Sequence, residues 1–212
     1  MKIILILFLF ISEINSQVKD VFEFGSKIND YIASCFYKSN DKELNINQMD
    51  SIFSFALSIA DSNIADALLF CSVGSMTYPV FKVKLPYLNF VIPFSVFTEY
   101  DSEKMKKKAS NLPHKLFDDS PDTEFGDKDK VVHFFSSAYF SYLFGYSFAV
   151  HIGYFVEEFE ESFKIDGKVD ERDLKINELG ARFGQELNYK IIFPSFILAK
   201  ERSLTYGKNI NN

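Results

Sequence analysis

"FGDKDKVVHFFSSAYFSYLFG", Phe125 to Gly145, is the stretch on which the fold turns. Its charges stop at Lys130, and from Val131 to Val156 the chain carries no formal charge. A bilayer span needs roughly 20 apolar residues, so length alone would permit one here. Against a span stand His133, His151, four Ser and four Tyr, with Gly145 and Gly153 interrupting the run. The stretch therefore reads as two helices, about 130–144 and 147–163, folded against one another with a break near Gly145. A membrane-embedded hairpin is the second reading. Asp129 is placed to cap the first helix, because its carboxylate can accept from the free N–H groups of the opening turn.

Working outward, "ERDLKINELGARFGQEL" at 171–187 predicts a third helix started by Asp170. Asp173, Asn177, Gly180, Ala181 and Gly184 recur at helical spacing on one face. Small residues let a neighbouring helix approach closely, so Gly180 and Gly184 read as helix-packing positions and the two polar residues as a polar end to that interface.

The three helices collect Lys130, His133, Glu158, Glu161, Asp173 and Asn177 as a candidate polar cluster or ligand-binding set. His133, Glu158, Glu161 and Asp173 are residue types that could hold a divalent metal, the cofactor this pattern allows. His133, Glu158 and Asp173 are equally the candidate catalytic groups for acid–base work. No zinc-type H-E-x-x-H spacing, G-x-S-x-G elbow or phosphate-binding glycine loop accompanies them. The competing reading is a bundle whose interior polar groups satisfy one another. "DGKVDERD" at 166–173 resembles half of a calcium loop, but Ser162 and Lys164 fall where ligands belong, so it reads as a turn. His114 reads as a surface residue and His151 as a core or interface residue. Ser136, Ser137 and Ser141 lack a base at known spacing.

The remaining chain bounds the class. There are 212 residues, 25 of them Phe and 11 Tyr with no Trp, and the net charge is -6. No basic patch suits nucleic acid; "KMKKK" at 104–108 reads as a solvated face. "MKIILILFLFISEINS" has the composition of a signal peptide, 1–16, which implies export to the periplasm or cell envelope. The expected organisation is then a helical segment with an edge β-hairpin over 17–100, a polar linker loop over 101–129 with one short helix near 103–110, the three-helix unit over 130–190, and a tail over 191–212. The hairpin falls at about 78–98, where Pro79, Pro86 and Pro93 exclude a central strand. Asp61–Asn63 marks a break between two helices. Cys35 and Cys71 could form one disulfide or remain thiols.

"DKVVHFF", "VEEFEES" and "DLKINELGARFG" follow one another at short intervals. In that order they resemble the YfiM-like family of predicted periplasmic lipoproteins, with a motif order similar to VanZ-like membrane proteins. Asp129, Lys130, His133 and Phe134 carry the first element, Glu158 and Glu161 the second, and Asp173, Asn177, Gly180 and Ala181 the third. The resemblance implies one spatial cluster and a place beside a bilayer, and no particular reaction. No cysteine follows the signal, so a lipid anchor is not implied. The chain as a whole reads as a mainly α, helical-bundle protein of the cell envelope. Its expected partner is membrane or envelope lipid, and it is non-catalytic. The alternative is a metal-dependent or acid–base enzyme acting on a lipid-linked substrate.

Overall fold

The computed structural model describes residues 15–77, 80–85, 90–95, 101–163 and 171–199; for 15–20, both strands and 156–163 it describes backbone only. The signal segment up to residue 14, the turn at 164–170 with Asp170, and the tail from residue 200 lie outside the described residues.

The chain is mainly helical. Helices α1 (Asn15–Cys35), α2 (Lys42–Ile59) and α3 (Ile64–Ser75) precede two short strands, β1 (Val80–Leu85) and β2 (Phe90–Ser95). Helix α4 (Ser102–Asn111) follows, then α5 (Lys128–Phe144), α6 (Tyr146–Phe163) and α7 (Glu171–Leu187). Residues 194–199 are again helical. The strands pair antiparallel, Val80 opposite Ser95 and Pro93 opposite Lys82. A ladder of two strands has only edges, so a proline without an N–H can be accommodated.

Short polar residues start the helices. Asp41 accepts from the Glu43 and Leu44 amides at 2.8 and 3.2 Å, and Asp101 does the same for Glu103 and Lys104. Asn63 caps α3 after a break in which Asp61 and Ser62 both take positive φ. Each such cap satisfies amides that the helix itself cannot.

Helix α4 ends other helices. Lys108 is fully buried, and its Nζ donates to the carbonyls of Gly74, at 3.3 Å, and Met76, where α3 terminates. Three residues on, Asn111 Nδ2 donates to the Ala33 and Phe36 carbonyls at 3.3 and 2.6 Å, at the end of α1. One helix thus supplies donors to two C-termini whose last carbonyls lack intrahelical partners. This corrects the solvated reading of "KMKKK". Lys104 does lie outward, paired with Asp30 at 3.0 Å, but Lys108 is one turn later and faces inward.

The stretch read as a polar linker is packed as well. Leu112, His114, Leu116 and Phe117 are all buried. His114 is therefore not a surface residue: its amide donates to Asn45 Oδ1 at 2.7 Å, and its ring Nε2 lies 3.2 Å from Asn40 Oδ1. Burial, assisted by Lys38, Lys128 and Lys115, pushes the imidazole below its ordinary range against the pull of Asp127. Gly126, at positive φ, lies on the His114 backbone where a Cβ would overlap its carbonyl oxygen.

One apolar core joins both halves of the chain, crossing the boundaries expected at 100 and 129. Phe183 of α7 stacks on Phe134 of α5 at 5.3 Å and meets Phe53 of α2 edge-on at 5.2 Å. Cys71 is buried in this core, Cys35 is exposed, and both are free thiols.

Candidate functional site

Helices α5 and α7 run parallel and nearly touch. A Cβ on Gly180 would overlap the Phe134 carbonyl, and one on Gly184 the Ala138 carbonyl, a step of four residues on each helix. One further turn along, Asn188 Nδ2 donates to the Tyr142 carbonyl at 3.3 Å. The chain reverses at Gly145, where φ is +90°, and α6 returns antiparallel. Gly153 of α6 passes Asn177, with a notional Cβ 3.3 Å from Asn177 Cβ, and Tyr146 reaches Glu178 at 3.2 Å. Gly180 and Gly184 set the α5–α7 separation, because a Cβ at either would overlap backbone and hold the helices apart.

The tight approach brings the polar residues of α5 and α7 together. Lys130 Nζ lies 2.5 Å from Asp173 Oδ1 and 2.9 Å from Asp129 Oδ2. His133 Nε2 is 3.7 Å from the same Asp173 oxygen, and its Nδ1 is 3.2 Å from Asn177 Oδ1. Ser137 donates to Asn177 Oδ1 at 3.0 Å. Lys130 and Asp173 are buried, whereas the His133 side chain keeps 18% of its surface exposed. The Glu158 and Glu161 side chains lie outside the described residues, although their backbone continues α6.

The buried pair is asymmetric. Burial works against the Lys130 ammonium, but hydrogen bonds and charges from Asp173 and Asp129 outweigh it and hold the lysine above its usual range. Burial also pushes the Asp173 carboxyl up, against the pull of His133 and Lys130. The lysine decides the state of the pair: with two carboxylates beside it, it stays protonated and keeps a cation against Asp173. Among the described residues no three His, Cys, Asp or Glu side chains are grouped to hold a metal ion.

Asp129 does not cap α5. The helix starts two residues earlier, with Asp127 at the N-cap position, so Asp129 falls in the first turn and turns to Lys130 instead. Asp127 makes no cap bond. It is fully buried, pairs with Arg172 Nη1 at 2.7 Å through Oδ1, and accepts from the Leu116 amide at 3.0 Å and from Ser120 through Oδ2. It ties the loop before α5 to the start of α7. Sequence reasoning missed this junction and the part played by Ser137; the signal available was one more aspartate in "GDKD" and one of three serines. His151 is exposed rather than interior, with Nδ1 2.6 Å from the Ser147 carbonyl of its own helix.

A second feature lies at the far end of the unit. Leu143, Phe144 and Phe148 flank the Gly145 reversal and are 43%, 60% and 43% exposed. Phe144 and Phe148 pack at 5.0 Å, and both lie beside Phe140. The Asn188–Tyr142 contact brings exposed Tyr189 and Ile191 to the same end. Among the described residues no helix is long and apolar enough to cross a membrane.

No protein-family model matches the chain, and neither the curated proteins nor the solved structures include one with significant similarity to it.

Proposed function

We propose that the protein is a non-catalytic component of the cell envelope that docks on a lipid surface through the aromatic end of its three-helix unit. The observation that carries this reading is the group Leu143, Phe144 and Phe148 standing in solvent at a helix reversal, inside a stretch without formal charge. Contiguous exposed apolar surface marks an interaction site, and aromatic side chains with polar-tipped neighbours such as Tyr146 and Tyr189 suit the boundary between water and acyl chains. A net charge of -6 argues against capture by anionic headgroups, so apolar insertion supplies the affinity. The signal-like N-terminus supports an exported location.

In the same reading the Lys130–Asp173 cluster pins α5 to α7.

Co-sedimentation with phosphatidylcholine vesicles tests the docking. Wild type is expected to sediment with vesicles, with little dependence on salt. Phe144→Ser with Phe148→Ser is expected to lower partitioning at least tenfold, since burying each Phe is worth about 1.5–3 kcal/mol. Equal partitioning of the two proteins, with the variant folded, would sink the proposal.

A further inference from the structure

Away from the three-helix unit, an open groove of about 530 Å³ runs between α1, α2 and the segment around Phe193. Its walls are Tyr31, Phe55 and Phe193, with Asp50, Ser51, Ser54 and Ser58 among them. The Tyr31 and Phe55 rings stack at 4.3 Å and 12°, and Phe193 is 41% exposed.

Two of the serines spend their hydrogens inward. Ser51 Oγ donates to the Asn47 carbonyl at 2.9 Å, and Ser58 Oγ donates to the Phe55 carbonyl at 2.7 Å. Asp50 Oδ1 accepts from the Ser195 amide at 2.7 Å, the Ser195 hydroxyl also bonds the carboxylate, and the charged group still lines the groove. The groove therefore offers a ligand hydroxyl lone pairs, one carboxylate and aromatic rings. A positive charge satisfies the carboxylate and the rings together.

We propose that this groove binds a small organic cation, an ammonium or guanidinium compound, with Asp50 as counter-ion and Tyr31, Phe55 and Phe193 as the aromatic wall. Burial holds the Asp50 carboxyl above its ordinary range despite its bonds to Ser195, so a docked cation would draw it back down. The site is independent of the lipid-docking end, and its test leaves that end untouched.

The probe is agmatine, titrated into the full chain while the aromatic NMR signals of Tyr31, Phe55 and Phe193 are followed. One carboxylate with a cation–π contact supports a Kd of about 1 mM, so titration to about 20 mM reaches saturation. Asp50→Asn keeps an oxygen for the Ser195 amide but removes the charge, and is expected to weaken binding at least fivefold. Phe193→Leu, which leaves Asp50 in place, is expected to weaken it as well and serves if the first variant fails to fold. Glucose is expected to leave the three rings unshifted. Shifts with glucose equal to those with agmatine, an unchanged agmatine affinity in folded Asp50→Asn, or no shift at all in wild type would each overturn the proposal.

Discussion

Gly180 rests on the backbone of Phe134, with its missing side chain pointing at the Phe134 carbonyl oxygen. This contact fixes the spacing of α5 and α7, and through it the meeting of Lys130 with Asp173. In an exposed helix, Gly→Ala stabilises by about 1 kcal/mol. Here the methyl would overlap backbone, which cannot swing away as a side-chain end can. Gly180→Ala is expected to destabilise by about 1–3 kcal/mol, the usual cost of overpacking. Gly153→Ala, whose nearest neighbours are Asn177 side-chain atoms at 3.3–3.4 Å, is expected to cost clearly less than Gly180→Ala. Urea unfolding midpoints check both; a Gly180→Ala protein as stable as wild type would contradict the packing.

Lys130 and Asp173 form a buried pair, and such pairs cost more when halved than when replaced. Lys130→Met leaves a buried carboxylate facing an apolar side chain and is expected to lose about 3–5 kcal/mol. Lys130→Met with Asp173→Leu is expected to lose clearly less than the sum of the single losses. A double-mutant cycle on unfolding free energies measures the difference. Additive losses would show that the two charges are not coupled.

The three helices were legible because their signals are local. Gly145 interrupts an uncharged run, and the spacing Asp173, Asn177, Gly180, Gly184 announces one face of a helix. Lys130, His133, Asp173 and Asn177 meet because residues on packed faces must, whereas Ser137 gave no such signal and the Glu158 and Glu161 side chains lie outside the described residues. The cap was misread, because Asp127 and Asp129 offer the same carboxylate two residues apart, and only the loop carrying Leu116 and Ser120 decides which is drawn inward. Lys108 and His114 were misread for a related reason. Composition assigns lysine and histidine in a polar stretch to solvent, whereas the carbonyls ending α3 and the Asn45 side chain, tens of residues earlier in sequence, claim them. Such contacts leave no periodic trace.

Asp127 gathers the Leu116 amide, Ser120 and Arg172 around one buried carboxyl. Asp127→Ala removes the acceptor for a buried amide and the partner of a guanidinium, with an expected loss of about 2–4 kcal/mol. The distinguishing readout is local. The Leu116 amide is expected to exchange its hydrogen much faster in the variant, while amides in the middle of α2 change only as far as global stability falls. Unchanged Leu116 exchange would show that Asp127 does not hold the loop.

Lys108 gives the chain a pH dependence whose sign follows from burial. Desolvation lowers its pKa from 10.5 to about 7 in the folded protein. Below about pH 7 it is protonated folded or unfolded, and the penalty for burying the charge is present in full. Between that point and 10.5 the unfolded chain still holds the proton and the folded chain has released it. The unfolded state then binds more protons, so stability rises with pH across this window, by at most about 1.4 kcal/mol per pH unit. Lys128, lowered by burial, adds a contribution of the same sign, while Lys130, held above its usual range, loses its contribution only as pH passes the ordinary lysine value. Urea titrations at pH 7, 8 and 9 are expected to show wild type gaining stability at each step. Lys108→Met removes the buried charge but keeps an unbranched side chain, so it is expected to be at least as stable as wild type at pH 7 and to show a much flatter profile. A wild-type profile that falls from pH 7 to 9, or a Lys108→Met profile with the same slope, would mean that the lysine keeps its proton against the Gly74 and Met76 carbonyls.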